Sequence, residues 1–527
     1  MQRKKLPIGR TTFKEIRDPQ ENFAYIDKTN FAYQLITDSK YYFLSRPRRF
    51  GKSLFLDTLS EIFKGNKQLF EGLSIYDKWD WSKQFPVVKI DFASGDFSTR
   101  ESIKYKIREV ILRATQLHEV DFTTIESADV GIMLERLVFA LYQKYKQQVV
   151  ILIDEYDKPI LDNISKEDKT VALEARDVLR SFYGAIKQND MYLRFVFLTG
   201  VSKFSKLNLF SGLNNIVDIT LDEDFSTITG YTHQDVLEAF DGYFEGVDMD
   251  KVKRWYNGYN YFGDLVYNPY DILLFLSQQC EFRNYWWQTG NPSFLIEILK
   301  KGNYFLPDLE NIEVGEETLN AFDIEHIDLV ALLWQTGYLT FDKVIKRMDR
   351  ISYRMKIPNN EVQHSLNSLF LDYLTNFKHE ALSKRNRVSD ALLEKNMVDF
   401  KQELVSMFAS IPYEKYVRNN IANFEGYYAS VVFAFLSSMG FDVRTEESTN
   451  RARVDMTLIG PGSIFILEFK VDKPAELALH QIETRKYYEK YTGMGKEIFL
   501  IGIHFSSTER NISSVEWKVL GGEIQKA

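Results

Sequence analysis

From Gln2 to about Asp222, short apolar runs alternate with longer stretches of helical period. Tyr41–Leu44, Val87–Phe92, Val149–Ile153 and Tyr192–Leu198 read as strands, and Ser102–Gln116 reads as a helix. Alternation of this kind predicts a mostly parallel sheet with helices on both faces. From His233 to Ile298 the text turns helical and aromatic, with WYNGY at Trp255–Tyr259 and YWWQTG at Tyr285–Gly290. Aromatics at that density predict core and interface packing. Ile324–Leu374 has a different rhythm: a helix through Ile327–Thr336, strands Tyr338–Val344 and Arg350–Ile357 around a charged turn, and a helix over Asn359–Leu374. Helix, hairpin and helix predict a winged-helix-like module. Thr375–Lys401 is polar and predicts a helical connector, with a boundary near 375–385.

The last third is patterned independently. Asn423–Ser438 predicts a helix ending at Gly440, followed by strands Phe441–Glu446, Arg453–Leu458 and Ser463–Val471. The helix Ala475–Tyr491 and the strand Glu497–His504 complete an α-β-β-β-α-β order. The expected fold class is α/β: a P-loop NTPase parallel sheet over 1–230, a helical lid over 231–322, a winged-helix-like module over 323–380 and a nuclease-like α/β domain over 381–527.

Composition narrows this further. A chain of 527 residues that is 45% apolar and 15% aromatic can bury several cores. One cysteine, Cys280, excludes an intramolecular disulfide and suits a reducing compartment. The basic N-terminus lacks a following apolar segment, so no signal peptide is expected, and no apolar run has the length of a membrane span. A soluble, cytoplasmic protein is the expectation. The net charge of −8 gives no global support for nucleic-acid binding. Local basic patches are Arg46/Arg48/Arg49, Lys343–Arg354, Lys384–Arg387 and Arg451/Arg453, each more often a solvated face than a binding site. The seven histidines form no HExxH-type pair, so zinc chemistry has no support, and neither does serine or cysteine catalysis.

Two segments carry candidate nucleotide chemistry. In YYFLSRPRRFGKSLFLDTL, Gly51-Lys52-Ser53 opens an amphipathic helix after a strand and a turn. Unpaired N–H groups and the positive dipole end of a helix suit phosphate. Lys52 could reach the β/γ-phosphates and the Ser53 hydroxyl could hold Mg²⁺. Arg46 stands where the P-loop pattern has its first glycine. In QQVVILIDEYDKP the apolar run ends at Asp154 and Glu155, at the strand end that faces ligands in open α/β sheets. Asp154 would hold Mg²⁺ through water and Glu155 would polarise the attacking water. The strand before Thr199-Gly200-Val201-Ser202 ends where a γ-phosphate sensor would sit, with Thr199 or Ser202 as candidate. A basic turn and a solvated acidic strand end are the plain alternatives for each segment alone.

The C-terminal order carries a second set: Glu425 on the first helix, Asp455 on the second strand, and Glu468-Phe469-Lys470 on the third. Strand alternation puts Glu468 and Lys470 on one face. Two carboxylates and a lysine can hold Mg²⁺ or Mn²⁺ and organise a water for attack on phosphate. Asp455 and Glu468 would be ligands, Lys470 would orient the water or stabilise charge, Glu425 would complete the shell, and Gln481 could contact backbone or water. A cross-strand salt bridge is the plain alternative for Glu468 and Lys470.

Residues from about Leu6 to Asp222 resemble the AAA-ATPase-like family of bacterial proteins, whose loop reads close to RPRRFGKS. YIDKT at Tyr25–Thr29, LIDEYDKP at Leu152–Pro159, LTGVSKFS at Leu198–Ser205, WYNGY and QTGYLT at Gln335–Thr340 carry the same resemblance. Residues from about 385 to 520 resemble the PD-(D/E)XK nuclease domain commonly fused to such ATPases. The resemblance implies ATP binding at Lys52, Ser53, Asp154 and Glu155, with Arg48, Arg49, Gly51 and Thr199 as further contacts, and a nuclease-type fold holding Asp455, Glu468 and Lys470. The leading expectation is an ATP-controlled, Mg²⁺- or Mn²⁺-dependent enzyme cutting double-stranded DNA. The alternative is a nucleotide-dependent switch or scaffold whose C-terminal fold binds without cutting. No arginine finger can be assigned, so hydrolysis is expected to be slow until a partner or a neighbouring subunit of a homo-oligomer supplies one.

Overall fold

The computed structural model describes the chain except residues 1–2, 165, 167, 205–208, 210–212, 214, 287–311, 321–323, 325–327, 349, 376–380, 412–424, 438, 440, 449–452 and 527. Within helices and strands it also leaves out the side chains of 320, 370–375, 381–385, 425–427, 430, 442, 445–448 and 453–454. The chain forms two compact units, one of Met1–Leu295 with Asn311–Val362 and one chiefly of Gln363–Ala527.

The first unit is built on β1 (Tyr41–Ser45), β2 (Val87–Asp91), β3 (Val149–Asp154), β4 (Leu193–Gly200) and β5 (Val217–Asp218), in the order β2-β3-β4-β1-β5. All neighbouring pairs are parallel. Strands buried on both faces must be apolar at every position, and VVILID in β3 is buried throughout. Tyr42, Leu44, Val150, Leu152, Phe195 and Phe197 alternate onto one face. Against them pack Leu56, Leu59 and Phe63 of the helix Lys52–Phe63. Because the strands run one way, the ends of β1, β3 and β4 open at the same edge, and that edge carries the candidate chemistry.

A two-stranded ladder of β6 (Tyr231–Thr232) and β7 (Val266–Tyr267) follows, with helices His233–Ala239, Met249–Tyr256 and Pro269–Ser277. The aromatics of WYNGY serve packing. Tyr259 lies 4.8 Å edge-on from Phe50, and Tyr256 stacks 6.1 Å from Phe282. Then come β8 (Glu313–Gly315), the helix Leu329–Gln335, β9 (Thr340–Arg347), β10 (Arg350–Lys356) and the helix Asn360–Thr375. The strands form an antiparallel sheet ordered β8-β10-β9. The expected helix–hairpin–helix is present, with β8 added beside it.

In the second unit the helix Glu425–Ser437 precedes β11 (Asp442–Ser448), β12 (Arg453–Ile459) and β13 (Ser463–Val471). The helix Ala475–Arg485 leads to β14 (Glu497–Ser506), which pairs parallel with β13. The expected long helix to Tyr491 stops early because Lys486 turns left-handed (φ 53°), and a 3-10 segment Tyr487–Met494 takes over. β15 (Asn511–Val519) and β16 (Gln525–Lys526) extend the six-stranded mixed sheet beyond the expected strands. No helix among the described residues is long and apolar enough to cross a membrane.

Candidate functional site

The loop after β1 is shaped by the fate of Arg46. Its side chain turns away from the loop and is buried, 1% exposed. The guanidinium donates to the carbonyls of Ser45 (2.9 Å) and Thr220 (2.7 Å) and lies 3.7 Å over the Tyr261 ring. Burial lowers its pKa to about 10. The residue standing in place of the usual glycine is therefore a brace behind the loop. Arg46→Gly is expected to destabilise the first unit without tightening nucleotide binding, because each abandoned buried carbonyl costs about 1–3 kcal/mol. Thermal unfolding alongside a nucleotide titration checks this.

Gly51 caps the helix Lys52–Phe63 at φ 89°, a left-handed conformation that favours glycine, and a Cβ there would meet only open space. Lys52, 4% exposed, donates to the carbonyls of Arg46 (2.9 Å) and Pro47 (3.0 Å), with Glu155 Oε1 4.0 Å from its Nζ. Lys52 and Ser53 line a cavity of about 450 Å³, within the range that holds small ligands. Arg48 and Arg49 are exposed on its rim, Arg49 lying 4.5 Å over the Tyr270 ring. The cavity is also lined by segments with no binding motif of their own, including Pro7, Ala24, Ile26, Tyr231 and Leu273. These residues lie far apart in sequence, so only the fold reveals them as lining one cavity.

The acids at the end of β3 divide their work. Asp154, 6% exposed, accepts from the Thr199 hydroxyl at 2.6 Å and from the Glu155 N–H at 3.0 Å. Glu155 is left-handed at φ 52°, strain that a non-glycine residue bears only where its surroundings fix it. Burial raises its pKa and Lys52 opposes the rise. Thr199 is fully buried and turned toward Asp154. Ser202 is held by Asp157, which accepts from its N–H (2.6 Å) and hydroxyl (2.5 Å). Asp157 also accepts from the Val201 N–H at 3.1 Å. Asp157 thus ties the loop after β4 to the end of β3. Its place in DEYDKP was the available signal, since an acid three residues beyond the strand end can still serve the same edge.

In the second unit β12 and β13 bring the other acids together. Asp455 accepts from the Phe469 N–H at 2.8 Å, and the Glu468 carboxylate lies 3.5 Å from the Asp455 N. Lys470 donates to Glu468 Oε1 (3.2 Å) and the Phe469 carbonyl (2.9 Å). Gln481 donates to the same Glu468 oxygen and, at 3.3 Å, to the Tyr487 hydroxyl. Glu468 is 1% exposed. Burial, reinforced by Asp455, pushes it up to about 8. Glu425 opens its helix, but its side chain lies outside the described residues. Gly502 explains how Gln481 arrives. A Cβ there would sit 2.4 Å from the Ala475 carbonyl, so only glycine lets the helix Ala475–Arg485 close on β14. Gly502→Ala is expected to cost about 1–3 kcal/mol in chemical denaturation.

Among the described residues no group of three or more His, Cys, Asp or Glu side chains is placed to hold a metal ion. Asp455 and Glu468 nevertheless fit a hard divalent cation. They are oxygen donors on one sheet face, and Mg²⁺ is commonly held by one or two carboxylates with waters filling the rest.

These two arrangements define two classes of domain, a P-loop ATPase-like sheet and a PD-(D/E)XK nuclease-like sheet. Residues 7–210 match the family described as "Predicted AAA-ATPase", and residues 423–515 match the PD-(D/E)XK nuclease superfamily. A protein of Azotobacter chroococcum mcd 1, described as "Uncharacterized protein in vnfD 5'region", is 43% identical over 525 residues, which is 99% of this chain and 100% of that protein. The chain belongs to the AAA-ATPase-like family, with a PD-(D/E)XK nuclease superfamily domain at its C-terminal end.

Proposed function

We propose that the chain binds and hydrolyses ATP in the first unit and cuts double-stranded DNA, with Mg²⁺ or Mn²⁺, in the second. The observation that carries this reading is the convergence of Asp455, Lys470 and Gln481 on the buried Glu468. A purely structural carboxylate at 1% exposure would be poorly served by a second acid beside it, since like charges in a desolvated place oppose each other. A divalent cation held by Asp455 and Glu468 would stabilise charge on the scissile phosphate. Lys470, 3.2 Å from Glu468, would orient the water, while Gln481 fixes the Glu468 carboxylate.

At the nucleotide site, Lys52 is held on carbonyls of its own loop, ready to be transferred to phosphate. Ser53 would supply a hydroxyl ligand to Mg²⁺, and Asp154, aligned by Thr199, would hold that ion through water. Glu155 would polarise the attacking water, and Arg48 and Arg49 would meet the nucleotide at the rim. Incubating the full chain with linear and circular duplex DNA, Mg²⁺ or Mn²⁺, and with or without ATP tests both halves. Cleavage lost in Lys470→Ala supports the reading. Absence of cleavage in every condition, with RNA also tried, would leave a nucleotide-dependent switch or scaffold.

A further inference from the structure

The antiparallel hairpin of β9 and β10 carries a charge arrangement that its own stability does not call for. In register, Arg347 stands opposite Arg350, and Lys343 opposite Arg354. Like charges directly opposite each other destabilise a β-ladder. By alternation these residues share a face with Ile345 and Ser352, while Val344, Tyr353 and Met355 point to the other. That other face is anchored: a bulge between Arg354 and Met355 sets Phe341 opposite Met355, and Phe341 and Tyr353 pack against Phe262 at 4.7 and 5.5 Å. The cationic face is left to solvent, with Lys343, Arg347 and Arg350 exposed and Arg354 half-buried.

Among the described residues one acid serves this face, Glu313 on β8, which lies opposite Arg354 in register. Its carboxylate is taken up by Arg347 in a two-point pair (2.7 and 3.1 Å) and by the Ser352 hydroxyl at 2.5 Å. On this face Lys343 and Arg350 make no ion pair with a described residue, while Arg347 is paired with Glu313. Protection of a sheet edge would account for lysines on β9, which lies at the edge. It does not account for Arg350 and Arg354, because β10 is the central strand.

We propose that this face is a docking surface for the phosphate backbone of duplex nucleic acid, separate from the nuclease face. A polymer of closely spaced anions relieves several like-charge repulsions at once, and same-face residues on one strand recur about every 6.8 Å. The inference stands whether or not the second unit cuts, since binding needs neither metal nor ATP.

The test measures binding of the full chain to a short labelled duplex by fluorescence anisotropy in EDTA, without nucleotide, across a salt series. Lys343→Gln/Arg350→Gln is compared with Lys14→Gln/Lys253→Gln, which removes the same charge elsewhere. The hairpin variant is expected to bind more weakly and to flatten the slope of log K against log salt by about 1.8, at about 0.9 for each phosphate no longer neutralised. Its melting temperature should not fall, since a repulsion has been removed. Unchanged affinity and slope would overturn the proposal. So would equal weakening in both variants, or polyglutamate binding as tightly as the duplex, which would point to an acidic protein partner.

Discussion

Asp455→Asn is expected to lower metal-dependent DNA cleavage by about a thousandfold or more while leaving duplex affinity in EDTA unchanged. Asparagine keeps an oxygen to accept from the Phe469 N–H, 2.8 Å away in the wild type, so β12 and β13 stay joined. What is lost is one of two anionic oxygen donors. Metal stabilisation of transition-state charge amounts to several kcal/mol, and about 1.4 kcal/mol corresponds to tenfold in rate. A timed digestion of linear duplex with Mg²⁺ or Mn²⁺ reads the outcome. Wild-type cleavage in Asp455→Asn would remove this carboxylate from the chemistry and with it the assignment of cleavage to Asp455 and Glu468.

The second large effect is expected at Lys52. Lys52→Met keeps most of the buried stem but abandons the charge and both hydrogen bonds to Arg46 and Pro47 carbonyls. Nucleotide affinity, read by calorimetry, is expected to fall by about a hundredfold, the equivalent of about 2.7 kcal/mol for a charge-assisted phosphate contact. Some stability should be lost as well, because the two carbonyls lose their partner. Adding nucleotide should therefore raise the melting temperature of the wild type and leave that of the variant unmoved. If ATP affects cleavage, the effect should vanish in the same variant. An unaltered affinity would show that the cavity beside the loop is not where nucleotide binds.

How much of this could be read from residues depended on how local each feature is. Lys52, Asp154 and Glu468-Phe469-Lys470 were legible because a strand end, a helix start or a two-residue alternation fixes where such side chains point. Four strands of the parallel sheet followed for the same reason, from their apolar runs, whereas β5 is only Val217-Asp218 and leaves no such run. The destination of Arg46 was not legible, because Thr220, Phe225 and Tyr261 complete its pocket from distant turns. Nor was the rest of the cavity lining beside Lys52, which is assembled from residues near the N-terminus, at Tyr231 and at Leu273. β15 was hidden because NISSVEWKV mixes polar and apolar positions without a clean period, and its pairing with β14 carries an irregularity at His504/Phe505.

The segment Tyr259–Phe262 carries a mechanical consequence. Its odd residues grip the loop after β1, Tyr259 on Phe50 and Tyr261 under Arg46. Its even residues grip the hairpin, Asn260 through Thr340 and Phe341, Phe262 through Phe341 and Tyr353. Four consecutive residues are thus clasped on both sides, between the loop after β1 and the hairpin. Thermodynamics then imposes a symmetry on any traffic across it. Whatever factor bound nucleotide applies to the affinity of the hairpin for an anionic polymer, that polymer must apply to the affinity for nucleotide.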